Sequence, residues 1–239
     1  SDPVRTWRSS TIGTWRLANL ALETGARIVQ ASTSEVYGAP LVHPQTEDYC
    51  GNVALTGLRA CYDEGKRAAE VLLYDLARTR GLDVRVARVF NTYGPGMAPD
   101  DGRAVPAFVA AALSGLPLRL EGGGKQTRSF CYVTDMVKAL MALAMCDAAR
   151  GIPVNLGNPD ERMIRDVAAT VVRLTGSRSP LVEVEPAPND PRRRCPDIGL
   201  ARRLLGWRPQ VALETGLGEV IAEAVGSSLT AGTAFVPSR

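Results

Sequence analysis

Histidine, lysine and paired cysteine are what these 239 residues have least of. His43 is the single histidine, and Cys50, Cys61, Cys131, Cys146 and Cys195 form no C-x-x-C pair, so neither a zinc site nor a disulfide framework is indicated. Cysteines used in this way fit a reducing cytoplasm. No apolar run approaches the roughly 20 residues of a membrane span, and no signal-peptide core opens the chain. Lysine occurs three times against 25 arginines, the bias of a GC-rich genome. The basic residues are scattered. Arg192-Arg193-Arg194 is the densest cluster, too short for a nucleic-acid surface, while a net charge of +3 leaves room for an anionic small molecule.

What is present is the composition of a soluble globular protein, 45% hydrophobic and 22% charged, long enough for one large domain or two small ones. Two periods alternate along it. Trp15, Ala18 and Leu22 at helical spacing, closed by Gly25, predict a helix over 11–24, and the apolar run from Ala26 predicts a strand over 26–32. A second helix is predicted from Cys61 to Gly81, with Ala69, Leu72, Leu73 and Leu76 as its apolar stripe, followed by a strand in "VRVARVF", 84–90. Strands this apolar, each preceded by a helix, predict an α/β fold. Its doubly wound parallel sheet would carry helices on both faces and collect ligands at the carboxyl ends of the strands.

From about residue 97 the elements shorten. Helices over 104–114, 134–146, 163–175 and 197–205, strands near 117–120 and 153–157, and the turn Gly122-Gly123-Gly124 read as a smaller lobe that returns some elements to the sheet. The expected division is 1–96 for the sheet domain, 97–225 for the lobe and 226–239, rich in Ser, Thr and Gly, for a flexible tail.

Two stretches at strand ends carry chemistry. "STSEVYG", 32–38, ends its strand in hydroxyls and a carboxylate before turning on Gly38, and "FNTYGP", 90–95, ends the next strand. A capping turn accounts for Ser32 and Thr33 but leaves Glu35 without a partner. On the second helix Tyr62 and Lys66 stand four residues apart in "CYDEGKR". They share a face, one above the other, so the ammonium lies near the phenol and favours its ionised form. Tyr62 is therefore a candidate base. Taken alone, Y-x-x-x-K is at least as often a chance pair on a solvated helix. Here the same face runs on through Ala69, Leu73 and Leu76 into core, where a lysine needs a partner or a task.

Together "STSEVYG", "YDEGK", "RVFNTYGP" and "GKQTRSFCYV" resemble the extended short-chain dehydrogenase/reductase family of nucleotide-sugar enzymes. Within it, "HPQTEDYCGNV", "CYDEGKR", "NTYGPGMAPDDGRAVPAFV" and "NLGNP" are most similar to the branch that decarboxylates UDP-glucuronate, over about residues 2–221. The resemblance implies a Rossmann-like fold, NAD as a bound cofactor regenerated in each turnover, and conversion of the UDP-sugar to UDP-xylose through a 4-keto intermediate. It implies Tyr62 as the base toward the 4-hydroxyl, Lys66 as its tuner and a hold on the nicotinamide ribose, and Thr92 as a further cofactor contact. Thr33 would hydrogen-bond the reacting hydroxyl, and Ser34 and Glu35 would sit near C5 and the sugar carboxylate. Arg194, in "RRRCPDI", would face that carboxylate bidentately or donate a proton, where the bland alternative is a surface arginine of the triplet. Asn91 would contact substrate between the lobes, and Gln126 and Arg128 would hold the diphosphate or ribose. A homodimer built on the helices at 11–24 and 61–80 completes the expectation. His43 is expected only as a loop residue.

One part of the family's machinery is missing. No strand here is followed by a G-x-x-G-x-x-G turn and a helix to grip the NAD pyrophosphate, and Gly122-Gly123-Gly124 lies too far downstream. The chain is expected to open inside the Rossmann half, its preceding residues either outside this sequence or truncated. Truncation would expose an apolar sheet edge and weaken NAD binding. Gly96 and Glu121 stand where the branch carries arginine and tyrosine. Two other readings stay open: a 4,6-dehydratase or 4-epimerase of the same family, against which Ser34-Glu35 speaks, and a non-catalytic nucleotide-sugar-binding protein, against which the intact tyrosine, lysine and glutamate speak.

Overall fold

The computed structural model describes residues 2–57, 59–98, 101–186 and 191–231. In chain order α1 (Pro3–Arg8) passes through one π turn (Ser9–Gly13) into α2 (Thr14–Thr24), and β1 (Ile28–Thr33), α3 (Ala60–Arg80), β2 (Val84–Val89) and β3 (Thr92–Tyr93) follow. Next come α4 (Ala104–Leu113), β4 (Leu118–Glu121), β5 (Thr127–Ser129), β6 (Cys131–Tyr132), α5 (Val133–Met145) and β7 (Pro153–Leu156). The chain ends with β8 (Glu161–Met163), α6 (Ile164–Thr175), β9 (Leu181–Val184), β10 (Arg193–Arg194), α7 (Gly199–Leu205) and α8 (Leu213–Ala231).

β1, β2 and β7 pair in that order and all in parallel, with Ile28 opposite Val84 and Val86 opposite Pro153. The period-2 alternation of a strand turns the β2 side chains to both faces of the sheet. Val84 and Val86 pack with Ala18 and Ala21 of α2 and Leu73 of α3, while Ala87 packs on the other face with Met136, Ala139 and Leu143 of α5 and Ala201 of α7. This is the expected parallel sheet with helices on both faces. Its helices stop where predicted, because Gly25 (φ 72°) and Gly81 (φ 73°) take the left-handed conformation that closes α2 and α3.

The remaining elements form a second core. Val105 and Phe108 of α4, Leu118 and Leu120 of β4, Val167 and Val171 of α6 and Leu217 of α8 meet there. β4 pairs with β9 in parallel, and β5 lies between β10 and β8.

Four sequence expectations change. The first helix starts at Pro3, capped by the Asp2 carboxylate, which accepts from the Val4 and Arg5 amides; α1 buries no residue, so it carries no apolar stripe to read. Trp15 is exposed, and Thr14, Ala18 and Ala21 make the buried face of α2. α8 was not expected at all: its glycines weaken the helical pattern, yet Gly216 is required there, since a Cβ would come within 2.2 Å of the Tyr93 hydroxyl. The same helix runs through Ala231, into the stretch expected to be a tail, and residues 232–239 of that stretch lie outside the described ones.

Candidate active site

Between the two cores, beyond the carboxyl ends of β1 and β2, lies a cleft of about 1540 Å³. Thr33, Ser34, Glu35, Tyr62, Lys66, Asn91, Thr92, Gln126, Arg128 and Arg194 all line it. They come from five separate stretches of chain, which the sheet and the second core bring to one place.

The turn after β1 is built for close approach. Thr33 caps a 3₁₀ turn over Ser34–Tyr37, its hydroxyl accepting from the Glu35 amide at 3.2 Å. Gly38 ends it at φ 61°, where a Cβ would lie 2.1 Å from the Asn52 carbonyl, so only glycine fits.

On α3 the Lys66 ammonium lies 5.9 Å from the centre of the Tyr62 ring and donates to the Ala31 carbonyl at 2.8 Å. That bond ties the tyrosine's helix to β1 two residues before Thr33. Burial lowers the lysine pKa. The Arg59 guanidinium sits over the same ring, 5.5 Å from its centre. Two cations thus flank the phenol, where spacing alone had indicated one.

Glu35 is not without a partner, as a plain capping turn would leave it. Arg194 Nη1 and Nη2 donate to its two carboxylate oxygens at 2.8 and 2.9 Å, and Arg59 Nη2 stands 3.1 Å from Oε1. Arg194 is buried, so it is not a surface arginine of the triplet; Arg193 beside it is exposed. Asp63, which sequence reasoning passed over, lines the cleft too. Burial, and after it the Glu35 charge, pushes its carboxyl up to about 6. The one available signal was its place beside Tyr62 in the first turn of α3.

Beneath this turn runs a polar network that no sequence pattern announced. Ser32 donates to Glu70 Oε1 at 2.5 Å, and Arg88 Nη2 donates to Glu70 Oε2 at 2.8 Å. Arg88 Nη1 also donates to the Tyr37 hydroxyl at 3.0 Å, which in turn donates to Asn155 Oδ1 at 2.7 Å. β1, α3, β2 and β7 are linked through these side chains. Burial raises the Tyr37 phenol to about 12, so it stays neutral.

The cleft is rich in cations. Besides Arg59 and Arg194 at Glu35, Arg103, Arg119, Arg128 and Arg192 line it, donors suited to phosphate oxygens. Asn91 and Gln126 hold the backbone there: the Asn91 carbonyl accepts from the Cys131 amide and the Gln126 carbonyl from the Ile164 amide. The Thr92 hydroxyl donates to the Phe90 carbonyl at 3.0 Å. His43 does not line the cleft. It lies in a loop, with its Nε2 3.1 Å from Glu161 and Arg193 against the same ring nitrogen. Cys195 lies close to both, but Arg193 already supplies a cation to this group.

A parallel sheet flanked by helices, with a ligand cleft at the carboxyl ends of its strands, is a Rossmann-like α/β fold. The chain belongs to the NAD dependent epimerase/dehydratase family, whose model matches residues 1–157. A curated relative, UDP-glucuronic acid decarboxylase 6 of Arabidopsis thaliana, is 52% identical over 216 residues, 90% of this chain. The chain spans only 62% of that relative's length. Among solved structures, the UDP-glucose 4-epimerase of Thermotoga maritima with UDP-glucose has a TM-score of 0.88 at 26% identity, over 95% of this chain and 72% of the other. MoeE5 in complex with UDP-glucuronic acid and NAD has a TM-score of 0.81 at 30% identity, over 91% and 71%.

Proposed function

We propose that this chain is the catalytic and sugar-binding part of a NAD-dependent UDP-glucuronate decarboxylase that makes UDP-xylose through a 4-keto sugar. The observation that carries it is the meeting of two chemistries in one cleft: a tyrosine flanked by cations, and the Glu35 carboxylate held by the buried Arg194 guanidinium. The first suits oxidation of an alcohol, and the second suits a substrate that carries a carboxylate. The relative's name agrees with both.

Tyr62 takes the 4-hydroxyl proton, with Lys66 and Arg59 standing against its ring. Thr33 orients that hydroxyl. Lys66 has three N–H donors, one of them on Ala31, so donors remain for a ribose, and with Tyr62 and Thr92 they fit the nicotinamide end of NAD. Bound there, NAD supplies a hydride acceptor and donor. Once C4 is a ketone, loss of the carboxylate is easy, because the electron pair left at C5 flows into it. Ser34, Glu35 and Arg194 face C5 and the leaving carboxylate. Asn91, Gln126 and Arg128 bind the uridine diphosphate.

The finer setting is part of the same reading: a cytoplasmic homodimer paired through α2 and α3. Five free cysteines and the exposed Trp15, Leu17 and Val71 on those helices support it. Gel filtration with light scattering checks the dimer.

Incubating the intact protein with UDP-glucuronate and NAD tests the reaction. Carbon dioxide with UDP-xylose is expected. A 4-epimer or a 4-keto-6-deoxy sugar without carbon dioxide would move the protein to another branch of its family, and binding without turnover would leave a nucleotide-sugar-binding protein.

A further inference from the structure

We infer that Asp63 takes up a proton as the sugar's carboxylate enters the cleft, and that this proton balances the one consumed when carbon dioxide leaves. The inference deepens the decarboxylase reading and rests on it.

Four charged side chains meet at the carboxylate end of the cleft: Glu35 after β1, Arg59 and Asp63 at the start of α3, and Arg194 on β10. With both acids ionised their charges cancel. A substrate carboxylate makes three acids against two guanidiniums, and carboxylates crowded into a poorly solvated site do not all stay ionised. Glu35 is the wrong one to protonate, since Arg194 holds both of its oxygens and Arg59 faces Oε1. Asp63 is the right one. Its Oδ1 is buried with no hydrogen-bond partner among the described residues. Burial and the Glu35 charge already favour its neutral form, Glu64 adds to that, and only Arg59 and Arg194 oppose it. Lys66 and Tyr62 lie further along the same helix.

The stoichiometry closes. The bond from C5 to the carboxylate breaks, and its electron pair passes into the 4-ketone as an enolate. Carbon dioxide departs, C5 gains one proton, and the site returns to two acids against two guanidiniums with Asp63 ionised. One proton enters with each carboxylate, and one is consumed with each carbon dioxide. Asp63 holds the proton and positions the charge; nothing requires it to touch C5.

The test is when the proton is taken up, followed with a pH indicator after rapid mixing of intact protein and NAD with UDP-glucuronate. At pH 7.5 the wild type should take up about one proton on binding and none with UDP-glucose, and the uptake should fall toward zero by about pH 5, where Asp63 is already neutral. Asp63→Asn should bind the uronate without uptake and draw its proton from solvent later, at the carbon dioxide step. If the variant does not fold, the wild-type pH profile and the UDP-glucose control still decide. Carbon dioxide release by wild type with no uptake on binding, or unchanged timing in Asp63→Asn, overturns this inference alone. No carbon dioxide from wild type at all overturns the decarboxylase reading and this inference with it.

Discussion

Arg194 and Glu35, 159 residues apart in sequence, are joined by two parallel hydrogen bonds of 2.8 and 2.9 Å, with both side chains largely withdrawn from water. The pair joins β10 to the turn after β1, and so fastens the β10–β5–β8 sheet to the parallel sheet.

Removing one partner leaves a poorly solvated charge, so Arg194→Met should destabilise the protein by about 3 kcal/mol, with Arg59 limiting the loss. Adding Glu35→Gln to it should recover part of that. Chemical denaturation of the two single variants and the double variant measures the coupling. Additive losses would mean that the two side chains do not support each other.

Glu35→Gln alone keeps the shape of the turn and removes the charge proposed to face C5. Oxidation at C4 should remain measurable while carbon dioxide release slows. An unchanged rate of product formation would make Glu35 a structural residue only.

Tyr62→Phe removes the base and leaves the ring beneath Arg59 and Lys66. A general base contributes about 10²- to 10⁴-fold, so oxidation should fall by about that factor, with binding of UDP-sugar nearly unchanged in a calorimetric titration. Retained turnover would take the tyrosine out of the mechanism.

The sheet and the Tyr62–Lys66 pair were legible in the sequence for a plain reason: both rest on short-range periodicity. Gly25 and Gly81 punctuate helices whose neighbours in sequence are also neighbours in space, and the Tyr62–Lys66 spacing is a local property of one helix. The partner of Glu35 could not be read, because the register that brings Arg194 to it is set by β10 pairing with β5. Asp63 was hidden for the opposite reason. A carboxylate in the first turn of a helix is commonplace, and it is burial, with the Glu35 charge beside it, that makes this one unusual. α8 escaped because its glycines weaken the helical pattern, and Gly216 answers to the Tyr93 and Tyr132 rings rather than to helix propensity.

Asp63 also leaves a mark on stability. Its folded pKa, about 6, lies above the 3.8 of an ordinary aspartate, so between those values the folded state binds more protons than the unfolded one. This contribution to stability is therefore present at low pH and lost as pH rises through 6. Partial exposure limits it to on the order of 1 kcal/mol. Asp63→Asn should flatten that part of the pH-stability curve, and thermal melts from pH 4 to 7.5 would reveal an unchanged slope if the carboxyl titrates normally.

The Glu70–Arg88 pair beneath the site makes the sharpest structural prediction. Both side chains are almost fully withdrawn from water, and Glu70 also accepts from Ser32 and from the Tyr74 hydroxyl. Glu70→Ala strands a guanidinium and two hydroxyls at once, and should cost about 3–5 kcal/mol. Glu70→Gln keeps the volume and one acceptor oxygen and should cost less. Because Ser32 precedes Thr33, loss of its acceptor also frees the end of β1. Glu70→Gln should then lower kcat more than it raises the KM for UDP-sugar, since Gln126 and Arg128, proposed to hold the diphosphate, lie outside this network. Equal effects on kcat and KM, with unfolding free energy unchanged, would show that Arg88 finds another partner and that the network does not hold the turn in place.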